Sequence, residues 1–407
     1  MNLCKDGGIF LQQVSLDEDK IPYDIVTKKL NEWYTAIKNN LDREAERLKD
    51  EVEELMGNME KNPDVILYHQ LLDFRHELML SYLKSRNEEE LKAAYESLKE
   101  HQGQLKGMLD YYFFFFMGMY DFRRKELVSA ISAYRRAEKS LEYVDDEIEH
   151  AEFFYKMAEI YYYMKQTYFS LNYVKRAMRI YQKYNNYADR VLRCNYIIAG
   201  NLIDSLDYEG ALAKFKDTLQ ISYSIRSEMH VYTSRLNMGI CYNHMEEYEK
   251  AYDCLIEAYK YFDKVNHACV EKTLFNLAHV QARKGDLKSA KSFYEKGYKV
   301  AKKRNNSEYI VKLDLLKALY LTDKCYNLID DSFSYFVSHK MYGDIEEFGF
   351  EVAEVFQKKG DTTRSSKYYK EVILAKNQIQ KGEMISETQI NSLINDSHTG
   401  LEHSRIE

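Results

Sequence analysis

Apolar stretches recur along this chain at a nearly constant spacing, and each contains one small residue. The small residues are Gly118, Ala158, Ala199, Gly239, Ala278, Ala318 and Ala353, with successive gaps of 40, 41, 40, 39, 40 and 35 residues. A missing side chain inside an apolar helix lets a neighbouring helix come close, and a fixed period of this length is typical of repeat proteins. The pattern therefore predicts a series of stacked helical repeats.

A second pattern follows in each period, in which a small residue precedes a bulky one by four positions. The pairs are Ala130–Tyr134, Ala211–Phe215, Ala251–Leu255 and Ala290–Tyr294, with weaker forms at Ser170–Val174 and Ser365–Tyr369. This spacing is typical of the second helix of a tetratricopeptide (TPR) pair, whose usual period of about 34 residues is shorter. We expect a right-handed superhelix of about seven TPR-type pairs with long helices. Their first helices should line a concave face of the kind that holds extended peptides.

The chain ahead of the repeats has a different pattern, which predicts a three-helix bundle. Apolar stripes are Val26, Leu30, Trp33, Ile37 and Leu41, then Ala45, Leu48, Val52, Leu55 and Met59, then Leu67, Leu71, Phe74 and Leu78. Asn62-Pro63-Asp64 has the residue types that begin a helix. The predicted domains are an extension (1–20), the bundle (21–84), a linker helix (85–104), the repeats (105–380) and a tail (381–407) that we expect to be disordered.

Composition supports an all-α chain and restricts its partners. Both prolines of the 407 residues fall within the first 63, so the remainder is free of helix breakers. The formal charge of −7 argues against direct nucleic-acid binding, which needs a basic stripe, and favours a basic partner. No apolar run is long enough to span a membrane, and the N-terminus lacks the pattern of a signal peptide. We therefore expect a cytoplasmic protein.

Metal, cofactor and common catalytic motifs are not evident. The cysteines are Cys4, Cys194, Cys241, Cys254, Cys269 and Cys325, without C-x-x-C or companion histidine spacing. They are expected to be reduced core residues rather than metal ligands or disulfides. The chain contains no phosphate-binding glycine loop and no nucleophile or zinc-protease motif. No cofactor, metal or catalytic residue is predicted on these grounds.

Polar residues also recur in register with the small residues of the first helices. Asn237 and Asn276 stand two residues before Gly239 and Ala278, and the slot seven residues beyond each asparagine holds His244 and Arg283, with Asp204 and Tyr163 in the two preceding repeats. On a concave face, the amides would bond a peptide backbone and Asp204 would pair with a basic side chain. The alternative is that these residues cap or bridge packed helices.

The second bundle helix is unusually acidic. Its candidate partner-binding residues are Glu46, Asp50, Glu53 and Glu54. Such a face would attract a basic surface and steer its approach. The alternative is a solvated helix whose charges pair with one another along the helix.

A three-helix bundle ahead of about seven long TPR-type repeats resembles the Rap family of bacterial quorum-sensing regulators. The strings that carry the resemblance are Lys28–Tyr34 (KKLNEWY), Phe74–Leu80 (FRHELML), Glu149–Phe154 (EHAEFF), Tyr163–Thr167 (YMKQT) and Ala199–Asn201 (AGN). The similarity extends over about 20–380 and is strongest to members carried on mobile elements. It implies that bundle and linker bind a response regulator or other transcriptional regulator, and that the repeats bind a short Phr signalling peptide that closes the superhelix and removes the partner surface. It also implies that Asp204 and Asn237 anchor the peptide.

The same resemblance bears on catalysis. Phosphatase members insert a glutamine, from the turn entering the third bundle helix, into the active site of the response regulator. Matching Asn58-Met59-Glu60 to the family pattern puts Pro63 at that position, and proline has no side chain able to position water. A non-catalytic regulator that sequesters its partner is therefore expected. The alternatives are a response-regulator phosphatase and, outside the family, a generic TPR scaffold.

Overall fold

The computed structural model describes residues 20–83, 88–100, 103, 105–124, 126–322 and 325–379, which are almost entirely helical. The helices are α1 (Tyr23–Lys38), α2 (Asp42–Met56), α3 (Pro63–Leu83), α4 (Glu88–Glu100), α5 (Met108–Arg123), α6 (Leu127–Ser140), α7 (Glu147–Tyr163), α8 (Thr167–Tyr181), α9 (Ala188–Asp204), α10 (Tyr208–Ser224), α11 (Glu228–His244), α12 (Tyr248–Lys264), α13 (Val270–Lys284), α14 (Leu287–Lys303), α15 (Ser307–Leu316), α16 (Tyr326–Ser338), α17 (Tyr342–Lys358) and α18 (362–379). The predicted tail and almost all of the predicted extension lie outside the described residues.

The helices form two compact units. The described residues up to Arg123 form an N-terminal unit together with Ala133–Tyr143. Arg124–Ser132 and the described residues from Val144 onwards form a C-terminal unit. The N-terminal unit thus contains the bundle and the first repeat helix, α5, while α7–α18 belong to the C-terminal unit.

The bundle consists of α1, α2 and α3. Val26, Leu30, Trp33 and Ile37 are fully buried on one stripe of α1, as predicted. Leu41 does not continue that stripe, because α1 ends at Lys38 and Leu41 is 52% exposed just before α2. The helix α3 begins at Pro63, and the side chain of Asn62 accepts hydrogen bonds from the amides of Asp64 (3.1 Å) and Val65 (3.3 Å). The predicted helix start is confirmed.

Aromatic side chains join the bundle to α5 within the N-terminal unit. The ring of Tyr112 lies 5.4 Å from that of Tyr34 and 5.5 Å from that of Tyr68. On the same helix, the ring of Tyr120 lies 5.9 Å from Phe74 of α3 and stacks at 4.4 Å on Tyr95 of α4. The α4 helix falls inside the segment predicted as a linker, and it is packed here against α5 rather than standing alone.

The repeats place the small residues at the predicted helix contacts. A Cβ added to Gly118 of α5 would lie 2.5 Å from the ring of Tyr134, and one added to Gly239 of α11 would lie 2.6 Å from Leu255. Tyr134 and Leu255 are the bulky members of the second-helix pattern. The recurring pairs therefore describe real contacts between the two helices of a repeat.

The turns inside the helix pairs use the left-handed backbone region. Gly285 (φ 92°) and Gly360 (φ 77°) occupy it, each between a lysine and an aspartate. At the equivalent turns of other repeats the chain places Lys165, Leu206 and Glu246, with φ of 59°, 62° and 62°. Non-glycine residues are strained in this region by roughly 1 kcal/mol. The packing of the repeats therefore outweighs the backbone preference of these three residues.

Candidate functional site

Three positions on each first helix share one face, and α5 shows what that face can contact. Relative to Gly118, these are Tyr112 (six before), Phe116 (two before) and Arg123 (five after). Tyr112 and Phe116 contact aromatic rings of the bundle, and Arg123 donates a hydrogen bond to the carbonyl of Ser81 at 3.1 Å. On α13 the same positions hold Lys272, Asn276 and Arg283, and on α11 they hold Thr233, Asn237 and His244. The candidate residues of α11 and α13 thus lie on the face that is equivalent to the bundle-contacting face of α5.

In the C-terminal unit, the helix α17 runs opposite this face. The Glu351 carboxylate of α17 lies 2.7 Å from the Nε2 of His279 on α13. Glu347 lies 3.9 Å from the Nε2 of His244 on α11, and Asp344 pairs with Lys312 of α15 at 2.7 Å. We call the space between α17 and the first helices α7, α9, α11 and α13 the groove.

The groove keeps open space beside polar side chains. Glu347 has 53% of its side chain exposed, and partial burial followed by the nearby Asp344 raises its pKa. Tyr163 is 61% exposed, and partial burial raises its pKa as well. Both side chains therefore reach solvent.

The two asparagines of the groove differ in what they contact. Asn276 is 8% exposed and donates its amide to the carbonyl of Lys272, one turn earlier on its own helix, at 2.8 Å. Asn237 is half-buried, and its side chain makes no hydrogen bond with any described residue. The amide of Asn237 is therefore available to a ligand, whereas that of Asn276 is partly used.

Two of the four predicted slot residues are engaged in pairs between neighbouring repeats. Asp204 pairs with Lys165, which stands at the left-handed turn of the preceding repeat. Arg283 donates to the carbonyl of Asn243 at 2.8 Å and to the carboxylate of Glu246, again a turn residue of the preceding repeat, at 3.1 Å. Arg283 thus bridges packed helices, which is the alternative left open above.

Asp204 retains binding capacity despite its ion pair. Its second carboxylate oxygen is buried and has no hydrogen-bond partner among the described residues. Burial raises the pKa of Asp204, opposed by Lys165. Sequence reasoning missed Lys165, although its distance of 39 residues from Asp204, one repeat period, was a usable signal.

His244 is held as a neutral ring. Its ring stacks on Tyr208 with centroids 5.1 Å apart and planes 2° from parallel. Burial, followed by the neighbouring His279 and Arg283, lowers the pKa of His244 to about 4. At neutral pH it can donate or accept one hydrogen bond without adding charge to the groove.

The acidic helix α2 has two different faces. On one, Arg47 pairs with Glu44 and Glu51, and Lys29 of α1 pairs with Glu51 at 3.2 Å. On the other, Asp50 and Glu54 are exposed and form no ion pair with a described residue, and Glu53 contacts Lys49 only at 3.9 Å. Glu46, also on this stripe, is half-buried. Charge pairing along the helix is therefore realised on the first face, while on the second Asp50 and Glu54 are exposed without an ion pair to a described residue.

The described residues offer neither a metal-binding cluster nor a membrane-spanning helix. No group of three or more histidine, cysteine, aspartate or glutamate side chains among the described residues is arranged to hold a metal ion. Within the described ranges, no helix combines the length and apolarity needed to cross a bilayer.

Comparison with known proteins gives consistent matches over both parts of the chain. Residues 20–81 match the family model of the N-terminal region of response regulator aspartate phosphatase H, and residues 230–303 match a tetratricopeptide repeat model. The chain is 51% identical to response regulator aspartate phosphatase I of Bacillus subtilis (strain 168), covering 94% of this chain and 98% of that protein.

Solved structures agree with these matches. The apo form of RapI is 50% identical, with a TM-score of 0.70, covering 88% of this chain and 99% of that one. A Rap protein complexed with competence and sporulation factor is 34% identical, with a TM-score of 0.81 and the same coverage. The bundle, the TPR-type repeats and these matches together show that the chain belongs to the Rap family.

Proposed function

We propose that this protein is a peptide-responsive regulator. In this proposal, the groove binds a short signalling peptide, and the bundle with α4 binds a response regulator or another transcriptional regulator. Peptide binding releases the regulator. The protein acts on its partner by sequestration in the cytoplasm, without chemistry of its own.

The observation that carries the peptide-binding part is the free amide of Asn237. A half-buried amide that makes no hydrogen bond is costly unless a ligand or water uses it. An amide both donates and accepts, which matches the alternating N–H and C=O groups of an extended peptide. The solved structure of the Rap conjugation gene regulator of the plasmid pLS20, which is 26% identical, is a complex with the Phr* peptide and supports peptide as the ligand class.

Asp204 supplies a preference for charge. One of its oxygens is unpartnered and buried, so a guanidinium or ammonium group of the peptide can bind there. His244, Tyr163, Asn276 and Arg283 complete the proposed peptide-binding residues. Of these, Arg283 acts by fixing the spacing between repeats, through its bond to Asn243.

A degenerate library tests peptide binding without knowledge of the natural peptide. We define the arginine library as linear pentapeptides that each contain one arginine and otherwise only uncharged residues except cysteine. Affinity selection followed by mass spectrometry should recover a subset on the wild-type protein. Asn237→Ala should weaken the recovered peptides by about 1–3 kcal/mol, with unchanged helicity by circular dichroism.

Asn276→Ala is the matched control. The amide of Asn276 already bonds its own helix, so this variant should lose less peptide affinity than Asn237→Ala. Failure of the wild-type protein to retain any peptide would contradict this part of the proposal. Equal affinity of wild type and Asn237→Ala would remove Asn237 from the site.

The exposed acidic face of α2 supports binding of a basic surface such as a DNA-binding domain. Asp50→Lys with Glu54→Lys reverses two uncompensated charges and should abolish capture of the regulator. Glu32→Lys with Glu44→Lys makes the same charge change on the face where Lys29 and Arg47 pair. Pull-down of the regulator by both double variants, compared at two salt concentrations, measures the effect. Equal loss in the two variants would point to net charge alone.

Pro63, at the position of the glutamine of phosphatase members, supports a non-catalytic role. Its position at the start of α3 is a structural role in which fixed φ and a missing N–H cost little. Substoichiometric protein should leave the lifetime of a bound, phosphorylated response regulator unchanged, and Pro63→Gln is the gain-of-function comparison. Several turnovers by the wild type would instead establish the alternative, a phosphatase, which the similarity to response regulator aspartate phosphatase I favours.

A further inference from the structure

The helix α14 concentrates positive charge on one face. It contains six lysines and one acidic residue, Glu295, in a protein whose formal charge is −7. The second helices of the two preceding repeats are balanced, since α10 has two lysines and two acidic residues and α12 has three lysines and four acidic residues. We call the six exposed lysine side chains of α14 the lysine strip: Lys288, Lys291, Lys296, Lys299, Lys302 and Lys303.

The lysine strip lies on the side of α14 that points away from the repeat core. On the opposite side, Ala290, Gly297 and Ala301 are buried, and a Cβ added to Gly297 would lie 3.2 Å from Leu274 of α13. Helical spacing puts the six lysines within less than half of the helix circumference, along roughly 22 Å of its length. Like charges three or four residues apart on a helix repel one another, so an anionic partner would relieve a cost that α14 carries alone.

The lysines of the strip form no ion pair with any described residue. Even Glu295, four residues from both Lys291 and Lys299, pairs with neither. The ammonium groups of Lys296 and Lys302 instead lie 5.8 and 5.5 Å from the ring centroids of two aromatic residues of the same helix, Phe293 and Tyr298. The strip is therefore exposed to solvent without an ionic partner in the described part of the chain.

The helix α2 offers the complementary charge. It contains seven acidic and three basic residues over a length of about 22 Å, and Asp50 and Glu54 of its second face are exposed without an ion pair to a described residue. We propose that the lysine strip of one molecule binds the second face of α2 of another copy of this chain. Two helices of matching length and opposite charge bring several ion pairs together, whereas one exposed pair alone contributes little.

The surroundings of the strip favour a second helix over other anionic partners. The strip is one helix wide, because the adjoining α12, whose Tyr252 ring lies 6.4 Å from that of Phe293, exposes Asp253 and Glu257. A lipid surface that covers both helices would approach these carboxylates as well, and the negative charge of the whole chain would oppose it. No exposed position of α14, which is described in full, holds an arginine or an aromatic ring on which nucleic-acid bases could stack.

Self-association has a consequence for the regulator. It covers the face of α2 to which the proposed function assigns the regulator, so one α2 helix cannot bind both partners at once. This consequence rests on the proposed function, whereas the contact between two copies does not.

Complementary charge reversal tests the contact. The strip variant is Lys291→Glu with Lys299→Glu, and the α2 variant is Asp50→Lys with Glu54→Lys. Sedimentation velocity at low salt should show reversible self-association of the wild type, with a dissociation constant that rises at least about tenfold in either variant alone. A mixture of the two variants should regain association as a one-to-one complex, because each variant keeps the helix that the other has lost.

The matched control is Lys260→Glu with Lys264→Glu, which reverses two exposed lysines of α12 and should associate like the wild type. High salt should weaken the wild-type association. A wild type that stays monomeric at low salt would overturn the inference, as would a mixture that associates no more tightly than either variant alone. Binding of the wild type, but not of the strip variant, to anionic lipid vesicles without self-association would assign the strip to a membrane surface instead.

The regulator is measured separately, by pull-down with the strip variant. This variant keeps α2 intact and should capture the regulator at least as well as the wild type does. If neither protein captures it while the wild type self-associates, the proposed function fails and the contact between copies stands. Because the first measurement uses the wild-type protein, it decides the question even where a variant folds poorly.

Discussion

Two first helices of the same repeat series, α5 and α13, use equivalent positions for opposite purposes. Where α5 has Tyr112 and Phe116, packed against Tyr34 of the bundle, α13 has Lys272 and Asn276 beside an open groove. On the other side of each helix the small residue, Gly118 or Ala278, is buried. The face that α5 turns toward the bundle is aromatic, and the equivalent face of α13, opposite α17, is polar. We propose that the polar residues at these positions bind a ligand.

The largest expected effect is on stability, and it should differ between the two faces. Phe116→Ala removes a fully buried ring from the covered face and should lower the free energy of unfolding by about 3–5 kcal/mol. Asn276→Ala at the equivalent position of α13 should change it by less than about 1 kcal/mol, because only a bond to its own helix is lost. Urea unfolding of both variants measures the difference. Similar losses would mean that the groove face of α13 is core.

The lowered pKa of His244 predicts a pH effect on stability that arises in the groove. His244 has a pKa lowered to about 4, against about 6.5 in an unfolded chain. Below pH 6.5 the unfolded chain binds a proton that the fold does not, so stability is lost as pH falls from 6.5 toward 4, by about 1–3 kcal/mol. His244→Gln should remove that part of the pH dependence, visible as a smaller shift of the urea midpoint between pH 7 and pH 4.5. Identical shifts in both proteins would assign the effect to other groups.

A smaller effect should sharpen the role of charge in the groove. Lys165→Met frees Asp204 from its internal partner and should strengthen binding of arginine-containing pentapeptides by about 1 kcal/mol. Asp204→Asn should have the opposite sign. Calorimetry with one recovered peptide, and with its version in which arginine is replaced by glutamine, measures both. Weaker binding to Lys165→Met would show that Lys165 supports the site rather than competing for it.

The smallest effect lies away from both faces and gives a baseline. Leu206 is 73% exposed at a left-handed turn with φ of 62°. Leu206→Gly should raise the free energy of unfolding by up to about 1 kcal/mol, without changing peptide affinity. A change in affinity would indicate that turn strain is transmitted to the groove.

Much of the fold could be predicted from the sequence because its signals are local and periodic. Gly118 and Gly239 were recognisable by spacing, and their contacts with Tyr134 and Leu255 follow from the repeat. The prediction that Leu41 continues the buried stripe of α1 was wrong. The apolar spacing extends to Leu41 in the sequence, but the helix ends before it and Leu41 is exposed.

The groove was less predictable because its partners are distant in sequence. Repeat arithmetic placed Asn237 and Asp204 on one face, but it could not show that α17 lies opposite them. The contact between His279 and Glu351 spans 72 residues and follows from the curvature of many repeats, not from a motif.

The ion pair between Lys165 and Asp204 affects the concentration of peptide that is needed to occupy the groove. A ligand that must displace a tethered competitor has an apparent dissociation constant larger than its intrinsic one, by the inverse of the fraction of sites that are free. In the proposed function, a basic peptide would then half-saturate the groove only at a correspondingly higher concentration. Lys165, a turn residue, would thereby help to set the peptide concentration at which the proposed regulator responds.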